Sequence, residues 1–206
     1  EDGIRDFCLS RGLEMCIRDR HDNDIQAISS TFNEAKGSMF LGRGYSYPIA
    51  LEGALKLKEL SYVHAEGYPA GEMKHGPLAL IEKGLPVIVI APKDKYFEKT
   101  ISNMQEVIAR GGKVLLISDK HDEVINENIR FKIEMPHMDE LLNPFLLTIP
   151  LQLLAYHVAL LKKCDIDKPR NLAKSVTVEW ILQLNYWKSN LYTLYTYTGW
   201  TWKNGH

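Results

Sequence analysis

Two short runs, LPVIVIAP (85–92) and KVLLISD (113–119), set the strongest limit on how this chain can fold. Each is apolar and mostly branched, without the alternation of a half-exposed strand. Strands of that kind are buried on both faces, which points to a parallel sheet covered by helices on both sides. The segment between them, KTISNMQEVIARGG (99–112), has the spacing of an amphipathic helix, with Gly111 and Gly112 as its stop. Strand, helix, strand in that order is a crossover unit.

The rest of the chain extends this pattern. DIQAISSTFNEAKG (24–37) reads as helix with a glycine stop, and SMFLGRG (38–44) as a buried strand ending in glycines. PIALEGALKLKELSYV (48–63) reads as helix, with Pro48 near its start, where a missing N–H costs little. FKIEMP (131–136) is a weaker strand closed by Pro136. DELLNPFLLTIPLQLLAYHVALLKK (139–163) is a long apolar helix interrupted by Pro144 and Pro150. The expected fold is α/β: a three-layer, doubly wound parallel sheet with helices on both faces. Ligands of such sheets sit beyond the carboxyl ends of the strands, so chemistry is expected in the loops after Gly42, Ala91 and Asp119.

Composition narrows the function classes. A net charge of −1 favours neither nucleic acid nor an acidic membrane surface as a partner. Neither LPVIVIA nor any similar apolar run is long enough to span a bilayer, and no signal peptide opens the sequence. Cys8, Cys16 and Cys164 have neither metal-ligand spacing nor an even count for disulfides, so a reducing compartment is expected and no metal. Gly42-Arg43-Gly44 lacks the third glycine of a dinucleotide fingerprint, so no cofactor is implied. All four tryptophans fall within residues 180–206, a stretch without aspartate or glutamate, and that shift marks a boundary. No internal repeat is present.

The charged residues of the second helix raise a sharper question. Glu52, Lys56 and Glu59 fall at i, i+4 and i+7 and form one narrow stripe on an otherwise apolar helix. Such a stripe is either a solvent edge with a weak ion pair or a partly buried Lys–Glu pair at a pocket, where low dielectric tunes a carboxylate for proton transfer. The following stretch, EGYPAGEMKHGP (66–77), is too rich in glycine and proline for helix or strand. It reads as a shaped loop carrying His75, either an ordinary surface histidine or a proton shuttle.

FLGRGYSYPIALEGALKLKELSYVHAEGYPAGEMKHGPLALI (40–81) closely resembles the second sugar-isomerase (SIS) subdomain of the glutamine–fructose-6-phosphate aminotransferases, and so does IPLQLLAYHVALLKKCDIDKPRNLAKSVTVE (149–179). The resemblance runs from about residue 21 to Glu179. It implies the flavodoxin-like SIS fold and an isomerising transaminase that makes glucosamine 6-phosphate from fructose 6-phosphate and glutamine-derived ammonia. By match to the family motif, Glu59 is the base that moves a proton between C1 and C2, and Lys56 steadies the developing oxyanion. His75 is the ring-opening histidine, acting in the neighbouring subunit of a homodimer. Lys174, in a C-terminal catalytic loop (about 164–179), contacts the open-chain sugar.

The resemblance also implies a glutaminase domain, a first SIS subdomain with a Ser/Thr-rich phosphate cradle, and a cytoplasmic enzyme. None of these segments is in this sequence, so the chain is expected to be a fragment, inactive alone. Residues 1–20 resemble a translated sequencing adapter more than a protein start, and residues 180–206 lie outside the family pattern. The competing class is a SIS sugar-phosphate-binding regulatory module, which needs no catalytic Glu–His set. A third is a scaffold piece that only completes a dimer.

Overall fold

The computed structural model describes residues 2–119, 129 and 131–170, with side chains in the first helix placed for Met15 and from Ile17 onward. Helix α1 (Asp2–Ser29) leads through a 3-10 turn (Ser30–Phe32) into β1 (Gly37–Gly42) and α2 (Ser46–Ser61). Then come β2 (His64–Pro69), 3-10 turns Ala70–His75 and Pro77–Leu80, β3 (Pro86–Ile90), α3 (Phe97–Ala109), β4 (Lys113–Ser118), β5 (Phe131–Glu134) and α4 (Asn143–Leu161). Residues through Pro169 form one compact unit.

All five strands are parallel, in the order β2-β1-β3-β4-β5. The chain winds outward from β1 in both directions, so helices cover both faces. The continuous runs behave as their composition dictates. Ile88, Ile90, Leu115 and Ile117 point into the core beneath α1, α2 and α4, together with Phe40. Their neighbours Val87, Val89, Val114 and Leu116 point to the other face, against α3 and the 3-10 turns. Both faces are dry, which is why neither run alternates.

Several details depart from the sequence reading; the helix expected over 24–37 stops at Ser29 and passes into the 3-10 turn Ser30–Phe32. His64–Pro69, which takes in the first four residues of the expected loop, is an edge strand paired with β1 from Gly37↔His64 to Gly42↔Pro69. Gly67 suits that strand for a packing reason: a Cβ there would lie 3.0 Å from the Leu51 backbone, so only glycine lets α2 come this close. Pro144 does not interrupt α4 but opens it at the first turn, and residues 139–142 precede the helix. Finally, α2 is less buried than its apolar count suggests, since Leu51 and Leu55 are exposed. Among the described residues, α4 is the one helix long and apolar enough to cross a membrane. Its apolarity serves packing against α1 and α2, with Leu147, Leu151, Leu154 and Val158 in the core.

Candidate active site

Helix α2 begins where β1 ends and runs back beside the sheet. Gly53 lets it approach closely, because a Cβ there would stand 2.8 Å from Leu151 Cδ1 and 3.0 Å from the Phe40 ring. The helix ends in a left-handed cap at Tyr62 (φ 58°), whose N–H donates to the Lys58 carbonyl. On its outer stripe Lys56 Nζ donates to Glu59 Oε2 at 3.0 Å and reaches Glu52 Oε1 at 3.6 Å. The Lys56 and Glu59 side chains are 33% and 27% exposed, so this is a half-buried pair and not an open solvent edge. The hydrogen bond to Glu59 is the main cause that raises the Lys56 pKa above its ordinary value, so the ammonium is held charged.

His75 closes the 3-10 turn after β2. Its Nδ1 lies 2.7 Å from Glu72 Oε2, and both side chains are largely exposed. The turn beneath it is fixed. Met73 is buried in the α3-side core. Lys74 Nζ pairs with Glu106 Oε1 of α3 at 2.9 Å. The Arg43 guanidinium lies close to Gly71, with Nη2, Cζ and Nη1 at 3.2, 3.3 and 3.4 Å from where a Cβ would stand. A histidine held this way offers its ring to solvent or to a neighbouring molecule.

The structure does not bring Glu59 and His75 together. Helix α2 starts at the carboxyl edge of the sheet and rises about 1.5 Å per residue, so Glu59 sits about 20 Å down the helix toward the amino edge. His75 follows the carboxyl end of β2. The two residues therefore lie toward opposite edges of one subunit. The Lys56–Glu59 pair also lies away from the carboxyl-edge loops where the sequence reading placed the chemistry. Lys174 lies outside the described residues. Cys164 Sγ lies 4.0 Å from the carbonyl oxygen of Ser61, two residues beyond Glu59.

At the carboxyl edge, in loops where the sequence reading expected chemistry, the structure assembles a cluster whose members that reading had not singled out. Asp119, with its side chain 3% exposed, accepts the Lys93 N–H at 2.5 Å through Oδ1, while its Oδ2 lies 2.5 Å from His137 Nδ1. Asp94 nearby has its carboxyl raised by burial. The loops after β3, β4 and β5 supply these residues, and sequence separation hid the grouping. Among the described residues no group of three metal-ligating side chains occurs.

This sheet order, with helices on both faces, defines a doubly wound α/β domain of the flavodoxin type. The SIS domain family model matches residues 31–162, and the chain belongs to the SIS family. It is 58% identical over 159 residues to glutamine–fructose-6-phosphate aminotransferase [isomerizing] of Bartonella henselae, covering 77% of this chain and 26% of that protein. The Escherichia coli K12 protein of the same name is 56% identical over 158 residues, again 26% of its length. The C-terminal domain of glucosamine-fructose-6-phosphate aminotransferase from Francisella tularensis superposes with a TM-score of 0.74 at 47% identity, covering 80% of this chain and 46% of that one. The chain thus spans about a quarter of the length of these curated relatives.

Proposed function

We propose that residues 21–179 act as the second SIS subdomain of a glutamine–fructose-6-phosphate aminotransferase, which converts fructose 6-phosphate and glutamine-derived ammonia into glucosamine 6-phosphate. In this reading the sugar ring opens with His75 as the proton carrier, and ammonia forms an imine at C2. Glu59 takes a proton from C1 and returns it at C2, a transfer that suits a carboxylate in a half-buried site. Lys56, held charged by Glu59, steadies the negative charge that develops on oxygen. Lys174 is assigned to the open-chain sugar. The phosphate grip and the ammonia source are assigned to the first SIS subdomain and the glutaminase domain of the complete protein, in the cytoplasm.

The observation that carries the reading is the half-buried Lys56–Glu59 pair on α2. The separation of Glu59 from His75 supports a site shared between two subunits. In a protein carrying all the segments of the relatives, Glu59→Gln is expected to lower glucosamine 6-phosphate formation by about 10²–10⁴-fold, the usual worth of general acid–base catalysis. Glutamine hydrolysis is expected to persist. Full glucosamine 6-phosphate output from that variant, measured beside glutamate release, overturns the assignment.

A further inference from the structure

We infer that a cavity at the amino-terminal ends of β1, β3 and β4 binds a phosphate dianion, either free or as a phosphate monoester. The cavity measures about 400 Å³, a size that suits a small phosphorylated metabolite. Its walls come from three separate places: the turn before β1 with Lys36, the turn before β3 with Lys83 and Gly84, and the first residue of β4, Lys113. Neither Lys56 nor Glu59 lines it.

Two glycines build this lysine cluster. Gly84 (φ 90°) and Gly111 (φ 85°) adopt left-handed conformations, and the Gly84 N–H donates to the Gly111 carbonyl at 2.8 Å. The missing side chain at Gly111 admits Lys83, whose Cα, Cβ and Cγ lie 3.3–3.5 Å from where a Cβ would stand. Lys113 crosses Gly84 with its Cε 3.8 Å from that residue's absent Cβ. Both lysine stems therefore rest on glycine backbone, which limits where their ammonium groups can go.

The lysines of this cluster are not tied up in ion pairs. Glu34 and Glu82 line the same cavity. Yet no described carboxylate lies within the 4.0 Å ion-pair distance of Lys36, Lys83 or Lys113, whereas Lys56, Lys74 and Lys132 all have one. Three lysines against two carboxylates, none of them paired with each other, leave the cavity with a net positive charge that favours an anion. The two carboxylates of the lining can accept hydrogen bonds from hydroxyl or amine groups of an ester-linked sugar. The nearby hydroxyls of Ser30 and Thr31 are already spent on the carbonyls of Ala27 and Ile28, so recognition rests on charge.

The test is an amide-resolved NMR titration of the 206-residue chain at fixed ionic strength, with inorganic phosphate and separately with glucosamine 6-phosphate. Saturable shifts confined to residues 34–37, 82–85 and 113, weakened about tenfold or more in K36A/K113A and in K83A but unchanged in K58A, are the expected result. Saturation by phosphate alone identifies the free ion as ligand, and tighter saturation by the sugar ester identifies the monoester. The inference fails if chloride at matched ionic strength gives the same shifts, which is simple screening. It also fails if the shifts survive the lysine substitutions. A response to the sugar ester limited to residues 56–59 and 75 likewise overturns it, while leaving the reading of Glu59 and His75 intact.

Discussion

Ser38 and His21 show how single residues of this core have been fixed. The Ser38 hydroxyl on β1 is buried and, among the described residues, has no hydrogen-bond partner. A buried unpaired hydroxyl costs free energy, so Ser38→Ala is expected to stabilise the domain by about 1 kcal/mol, read as a shift in the urea midpoint. His21 on α1 is 7% exposed, and burial lowers its pKa below the ordinary 6.5, against the raising influence of Asp24 and Glu134. The native state therefore takes up this proton later than the unfolded chain. Stability is full above pH 6.5, falls as pH drops through that value, and levels off below the lowered native pKa. His21→Gln is expected to flatten the loss between pH 7.5 and 5.5 in thermal melts, and an unchanged slope counts against burial of His21 as its source. Neither residue carried a sequence signal. A serine in a strand and a histidine in a polar helix look ordinary until tertiary packing removes their water.

At the level of elements, periodicity revealed what periodicity encodes. The runs at 85–92 and 113–119 announced buried strands because both of their faces meet apolar layers. Strand β2 escaped because it is an edge strand: only its β1 side is paired, its side chains are mixed, and its glycine answers to Leu51 of α2, not to a turn. The stripe on α2 was legible as a stripe. Its half-burial was not, since that depends on what packs beside it. The turn from β1 into α2 tests how closely these elements are fitted. A Cβ on Gly42 would stand 2.1 Å from the Ser46 carbonyl oxygen and 2.4 Å from its carbon, atoms that cannot move without unwinding the first turn of α2. Gly42→Ala is therefore expected to destabilise the domain by on the order of 3 kcal/mol, an overpacking cost at its upper range, with amide exchange rising first at residues 46–49. A variant as stable as the parent would mean that the loop can relax.

For the whole molecule, the distance between Glu59 and His75 decides more than either residue alone. If Glu59 is the base and His75 opens the ring, as proposed above, a subunit that holds one toward each edge of the sheet does not close a sugar site by itself. On the proposed reading two subunits related by a two-fold axis would, each lending His75 to the other. This has a quantitative consequence in the complete protein. Glu59→Gln and His75→Ala homodimers are each expected to be inactive in sugar conversion. Mixing and refolding the two variants makes heterodimers in which one site combines both lesions and the other has none. Random pairing puts half of the chains into heterodimers with one sound site of two, so activity is expected to recover to about a quarter of the parent. Sites formed within single subunits contain a lesion in every combination and recover nothing. A specific activity near zero after mixing, with dimers confirmed by light scattering, excludes the shared site and requires Glu59 and His75 to meet through a rearrangement within one chain.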